Sequence, residues 1–358
     1  MVENRMRIIY HIPSLDTVYA ARTIYYGYKN AFVDLGHDFK TVTCNDNLKK
    51  ILEKFQPDIF ISSISNYSLK FLDVESFNKA RLNGMIAFMS TNFWNSPLSR
   101  IRINEGHSLK NEKNKVKAIK KNLLGDVFFN QCEQDDLRMA GFEEETGFRY
   151  YTIPLAADKI ALKEEFDNKY ESDISFIGTY LPQKRDFFRK HVFPLRRKYN
   201  LKIYGQDWTW HDRALGWIQR GGQYFNFPYM RSIRKPKLQL QDESKIYKSS
   251  IISLNVHEDY QREFGGDCNE RTFKIPLCSG FEITDDVACI RKYFKADKEI
   301  IIANNREDWF EKIDYYMNNP DKRLAIIEAG RERVLKEHTY HNRSEQIIKI
   351  YEKLKKHG

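Results

Sequence analysis

A chain of 358 residues is too long for one ordinary domain and suits two. Its 41% hydrophobic content can build a core in each half, which excludes disorder as the default, and no apolar run approaches the roughly 18–20 residues of a membrane span. The net charge of +10 is compatible with nucleic acid, an anionic surface or a phosphorylated small molecule, and by itself selects none of them.

The N-terminal half alternates short apolar runs with helical stripes. Arg7–Ile12 reads as a strand, followed by a helix carrying Ile24, Tyr28, Ala31, Phe32 and Leu35 at three- and four-residue spacing and stopped by Gly36. Further strands are expected at Phe39–Thr43, Asp58–Ile64, Met85–Met89, Val127–Asn130 and Tyr150–Pro154. Helices are expected at Asn47–Phe55, Leu69–Leu82 and Gln134–Ala140. The pattern then restarts, with strands at Ile174–Ile177, Leu201–Tyr204, Ile251–Val256, Phe281–Thr284 and Glu299–Ala303. The intervening helices are Lys184–Lys198, Glu243–Lys248, a short one near Glu270–Leu277, and Arg306–Met317, with Asp321–Lys336 and His341–Lys355 closing the chain. Such alternation implies parallel pairing, hence two Rossmann-like domains, with the cleft between them as the default ligand site. The boundaries are placed at 1–156, 157–340 and a closing helix at 341–358.

The five cysteines (Cys44, Cys132, Cys268, Cys278, Cys289) are scattered and never form C-x-x-C, which reads as reduced thiols in a cytoplasmic protein without a zinc site. No D-x-D triplet or cluster of histidines and carboxylates calls for a metal. The first strand runs into HIPSLDTVYAA without a G-x-G-x-x-G turn, which argues against a dinucleotide-dependent oxidoreductase.

Phosphate chemistry has two candidate places. In DYQREFGGDCNERTFKIPLCSGFEITDD, two glycines precede a short helix with Asp267 or Asn269 as N-cap, and Arg271 in its first turn is a bidentate phosphate donor. Open amides at that helix start would suit a diphosphate, although Pro276 should kink or end the helix early. In SFIGTYLPQKR, Gly178 directly follows a strand, and Lys184 and Arg185 open the next helix. Between them, Trp208–Lys237 interleaves aromatic and basic residues, as a packed hairpin or as an acceptor or partner surface, nucleic acid included.

Residues 173–350 resemble the donor domain of the CgeB-like glycosyltransferases, relatives of the group 1 GT-B enzymes. The resemblance rests on DISFIGTYLPQKRDFF, LKIYGQDW, SIISLNVH, NERTFKIPLCSGFEITDD and the long stretch from KEIIIANNREDWF to KEHTY. It implies an α/β fold of GT-B type, a nucleoside-diphosphate sugar as co-substrate and no tightly bound cofactor. It also implies that Gly178, Lys184 and Arg185 lie near the donor diphosphate, with Arg271 and Thr272 at the nucleotide-sugar site beside Asn269 and Glu270. Gly280 and Asp285 would form the next turn at the cleft, and the closing helix would cross back to the first domain. One position departs from the family: Phe273–Lys274–Ile275 replaces F-E-A, and because lysine cannot accept the ribose hydroxyls, Glu270 or Asp285 becomes the alternative acceptor. An inverting reaction would need a base from the first domain, for which His11, Asp16 and His107 are candidates; a retaining reaction would not. The acceptor is left open among glycan, protein and nucleic acid, with peripheral or polyanion contact through the basic surface. The rival readings are a nucleic-acid-binding or -modifying protein on the same frame and a nucleotide-sugar epimerase or hydrolase.

Overall fold

The computed structural model describes residues 5–17, 20–96 and 108–357, and His107 therefore lies outside the described residues. The chain divides into two compact units, Met1–Pro154 with Ser344–Gly358, and Leu155–Arg343. The last helix, Tyr340–His357, leaves the second unit and ends in the first, where Gln346 donates to the Thr152 carbonyl (2.9 Å) and Lys355 to the Gly84 carbonyl (2.7 Å). Among the described residues, no helix is long and apolar enough to cross a membrane.

The first unit holds six parallel strands: β1 (Arg7–His11), β2 (Asp38–Val42), β3 (Ile59–Ser63), β4 (Ile86–Ser90), β5 (Val127–Asn130) and β6 (Tyr150–Thr152), in the order β2-β1-β3-β4-β5-β6. Residues such as Ile8, Ile9, Phe60, Phe88 and Phe128 are fully buried, as expected of a sheet covered on both faces. The second unit holds β7 (Ser172–Ile177), β8 (Leu201–Tyr204), β9 (Ser250–Asn255), β10 (Glu282–Asp285) and β11 (Ile301–Ala303), all parallel, in the order β11-β10-β9-β7-β8. Separate apolar clusters cover its faces, one around Phe273, Ile275 and Ile290, the other around Phe176, Phe188 and Trp309.

Three helical expectations and one hairpin needed correction. Leu69–Leu82 is two helices, Asn66–Lys70 and Val74–Leu82, because Ser65 and Asp73 each cap a new start by accepting the Ser68 and Ser76 amides. No helix forms at Gln134–Ala140; there Asp136 and Arg138 form a fully buried ion pair (2.6 Å). Residues two apart point to different sides of a helix, so this pair favours a turn, and the helix comes later at Phe142–Thr146. The expected helix Lys184–Lys198 is a run of short 3₁₀, α and π turns through Pro194, whose missing N–H prevents a regular ladder. Trp208–Lys237 is no irregular hairpin: Thr209 caps a long helix, Trp210–Phe225.

Candidate active site

In the second sheet the strand order reverses between β7 and β9, and at such a switch point an open parallel sheet leaves a crevice beyond its carboxyl ends. Polar groups gather there. Gly178 follows β7, donating its amide to the Tyr204 carbonyl (2.9 Å) and accepting from Trp208 Nε1 (3.0 Å). A Cβ at Gly178 would lie 2.9 Å from Arg271 Nη1 and 2.8 Å from Phe176 Cζ, so only glycine lets the guanidinium cross the strand end. Arg271 stacks over the Phe176 ring at 5.2 Å and donates through Nη2 to the Val256 carbonyl (2.9 Å) and through Nε to Asn255 Oδ1 (3.1 Å). Burial lowers its pKa from the usual 12.5, but a guanidinium stays charged.

Asn255, the last residue of β9, is the hub of this arrangement. Its amide donates to Thr272 Oγ1 (3.0 Å) and Glu282 Oε1 (2.8 Å), while its carbonyl oxygen also accepts from Asn269 Nδ2 (2.9 Å). Glu282 Oε2 is buried without a hydrogen bond among the described residues, and burial pushes this carboxyl up to about 8, against the Asn255 bond. The register Thr284↔Asn255 brings the ends of β9 and β10 level. His257 and Asp285 therefore meet, with Nδ1–Oδ1 at 2.7 Å, and Arg262 Nη1 donates to the other carboxylate oxygen at 2.7 Å. Burial works against both charges, but the attraction outweighs it: the imidazole is raised above its usual 6.5 and the carboxyl held well below its usual range. Cys268 is buried beside this pair. Burial opposes its ionisation, yet hydrogen bonds from Cys289, His257 and Thr272 bring the thiol down to about 6.

Gly178, Asn269, Arg271 and Thr272 are thus brought together, and Asp285 joins them through His257, whose Nε2 lies 3.3 Å from Thr272 Oγ1. The other expected residues make different contacts. Lys184 is buried in the turn Pro182–Lys184, and the Arg185 guanidinium lies over the Tyr180 ring at 5.4 Å. Glu270 is engaged at both oxygens, by the Tyr340 hydroxyl (2.6 Å) and by Lys274 (3.2 Å), so it is no ready ribose acceptor. Asp285 is likewise occupied by His257 and Arg262. Gly280 precedes the amino end of β10, opposite the crevice. There a Cβ would meet Ile275 Cγ2 at 2.9 Å, so this glycine serves packing.

The helix Arg271–Leu277 starts from Glu270 and continues through Pro276. Its first amides are not open, because Arg271 N donates to Asn269 Oδ1 (2.9 Å) and Thr272 N and Phe273 N to the Asn269 and Glu270 carbonyls. Asp267, the other expected cap, accepts instead from Gln261 Nε2 (2.9 Å). Lys274, the residue that departs from the family, is buried between Glu270 and Glu243 (3.4 Å), which raise its pKa despite burial.

In the first unit the switch point falls between β1 and β3. His11 ends β1 with Nδ1 at 2.8 Å from Ser62 Oγ, and its buried Nε2 has no hydrogen bond among the described residues. Burial pushes its pKa down to about 4, so the ring is neutral near pH 7. Asp16, in the following loop, is half-buried and its amide bonds Ser14 Oγ (3.2 Å). Sequence reasoning missed Asn255, His257, Glu282 and Arg262, although polar residues ending the apolar run SIISLNVH were the available signal.

Residues 184–349 match the profile of a family described as glycosyl transferase-like. The chain is 20% identical over 206 residues to spore protein CgeB of Bacillus subtilis (strain 168), which covers 53% of this chain and 57% of that protein; the match therefore spans little more than half the curated relative. Among solved structures, sucrose-phosphate synthase from Thermosynechococcus elongatus superposes with TM-score 0.61 at 10% identity, over 98% of this chain and 100% of its own. An alpha-glucosyltransferase in complex with UDP-glucose and DNA containing an abasic site gives 0.61 at 13%, over 97% and 100%. The fold is that of the GT-B glycosyltransferases. The family match lies in residues 184–349, a little under half of the chain.

Proposed function

We propose that the chain is a glycosyltransferase that takes a nucleoside-diphosphate sugar at the carboxyl ends of β7, β9 and β10 and passes the sugar to an acceptor hydroxyl. One observation carries the reading: Arg271 is fixed across Gly178 at the switch point, with two of its nitrogens bonded to the chain and Nη1 making no hydrogen bond among the described residues. In the transfer, the bond between the anomeric carbon and the diphosphate oxygen breaks as the bond to the acceptor oxygen forms, and negative charge grows on the leaving diphosphate. A guanidinium already oriented by Asn255 and Val256 stabilises that charge without reorganising. Asn255, Thr272 and the His257–Asp285 pair hold Arg271 and the surrounding walls in place. An inverting enzyme would also need a group to accept the acceptor's proton. UDP-glucose bound to the DNA-linked relative supports a uridine nucleotide as the first donor to try.

The test is a panel of nucleotide sugars read by thermal stabilisation. A ligand at a hundred times its dissociation constant should stabilise the protein by about 2.7 kcal/mol. Arg271→Ala should abolish that response, and Arg271→Lys should leave only part of it, because lysine lacks the planar fork. Circular dichroism checks that both variants fold. An alanine variant that responds to nucleotide as the wild type does would refute the placement. Release of free sugar without any acceptor would favour a hydrolase, and conversion of the sugar while still on the nucleotide an epimerase.

A further inference from the structure

The helix Trp210–Phe225 is built inside out. Its buried residues are Asp212, Gly216, Gln219 and Gly222. Arg234, itself buried, grips Asp212 (2.9 and 2.8 Å) and Asp207 (2.6 Å) from behind. Gln219 Nε2 donates to the Arg231 and Arg234 carbonyls (3.0 and 3.2 Å), and Gly222 admits Met230, whose Cβ would lie 2.4 Å from any side chain there. A polar network thus pins the helix and leaves its other face outward. That face reads Trp210, Ala214, Trp217, Gly221, Phe225, at steps of four, three, four and four, a single stripe without a charge.

The rings stand in solvent: Trp210 is 66% and Trp217 58% exposed, and they touch edge to face at 5.3 Å. The turn beyond the helix adds Phe227, Tyr229 and Ile233, with Tyr229 93% exposed. Among the described residues, eight of the twenty exposed large hydrophobics fall within residues 210–233, far more than scattered surface residues would give. From Trp208 to Gln239 the one carboxylate is Asp212, buried and bonded, against Arg213, Arg220, Arg231, Arg234, Lys235 and Lys237.

We propose that this face docks onto an anionic lipid bilayer surface, with its tryptophans, tyrosine and phenylalanines seated at headgroup level. Charge complementarity selects the partner: the segment is basic throughout, and lysines and arginines beside an anionic leaflet contribute about 1 kcal/mol each. The side chains fit the same partner. Tryptophan and tyrosine favour the bilayer interface, and a charge-free stripe on one helix face lies flat within it. A single-stranded nucleic acid would instead be held by bases stacking on successive rings. Here the rings are interrupted by exposed Ile218, Met230 and Ile233, which offer no stacking surface and suit a bilayer. The inference does not depend on the donor site.

The test is flotation of the full-length protein with vesicles of phosphatidylcholine, with or without phosphatidylglycerol, in the absence of nucleotide. The expected result is co-flotation with the anionic vesicles, weakened by salt and accompanied by a blue shift of tryptophan emission. Trp217→Ser and Phe225→Ser should each weaken it roughly tenfold, by the apolar area each removes from the bilayer. Both sites are exposed, so unchanged melting shows that the fold is intact. Failure to float, or flotation undiminished in the double variant, overturns the proposal. So does binding of a single-stranded oligonucleotide, or a concentration-dependent dimer, that these variants abolish while vesicles bind nothing. Because no nucleotide sugar is present, none of these results bears on Arg271.

Discussion

At the carboxyl end of β1, a single histidine is buried beside a serine; at the carboxyl ends of β7, β9 and β10, two arginines, a histidine, two acids, two asparagines and a threonine share one hydrogen-bonded network. Both places are switch points of parallel sheets, so the difference does not come from topology. Fold stability does not require such a network, since apolar replacements of buried ion pairs often do as well or better. What the network adds is orientation, as it holds Arg271 in a fixed direction over Gly178. The comparison therefore separates a sheet end that carries one uncharged group from a sheet end that fixes the direction of a guanidinium.

The largest effect should come from cutting the charged centre. Asp285→Ala leaves His257 and Arg262 without their shared carboxylate and should destabilise the protein by about 3–5 kcal/mol, read by urea denaturation. A loss below about 1 kcal/mol would show that water already supports these charges and that the network is loose. The next effect is pH-dependent. Glu282 is raised from its usual 4.5 to about 8, so its protonated form stabilises the fold fully below 4.5, and that contribution is lost as pH rises toward 8. Glu282→Gln should remove a slope of up to roughly 1.4 kcal/mol per pH unit across that window. Identical pH profiles for variant and wild type would mean that the carboxyl is not held neutral.

His11 gives the opposite sign in the other sheet. Its pKa is depressed from 6.5 to about 4, so its contribution is present above 6.5 and lost as pH falls toward 4. His11→Asn should flatten the stability curve in that more acidic and narrower window, as seen in thermal melts at stepped pH. Loss at alkaline pH instead would reverse the contrast between the two sheet ends. The smallest effect belongs to the outer shell: Tyr340→Phe deletes one bond to Glu270 and should cost about 1–2 kcal/mol while leaving nucleotide stabilisation intact. If that variant also lost its nucleotide response, Glu270 would belong to the site after all.

The second half was read as a donor region from its resemblance to the CgeB-like enzymes, and the motifs behind that reading, SFIGTYLPQKR and SIISLNVH, stand at the ends of β7 and β9. Val127–Asn130, Leu201–Tyr204 and Arg306–Met317 stand in the structure as the residue pattern places them, since apolar periodicity within one element needs no distant partner. Arg271 and Gly178 were both visible as candidates. Their meeting was not, since 93 residues separate them in the chain and only the β7/β9 pairing joins them. Gly280 and Glu270 misled because a turn glycine and an acid near an arginine look alike whether they face a ligand or the core.

From sequence alone came the alternation of strand and helix, the restart after residue 170, and the chemistry of the arginine and glycine motifs, all of which depend on spacing and residue type over short stretches. Tertiary structure alone decided which polar side chains converge, which charges are already neutralised by partners, and that Trp210–Phe225 turns its aromatic face outward. The physical reason is that burial and pairing are properties of neighbours in space. Asp212 and Arg234 make the polar side of that helix its inner side, and no periodicity in either segment records that they meet.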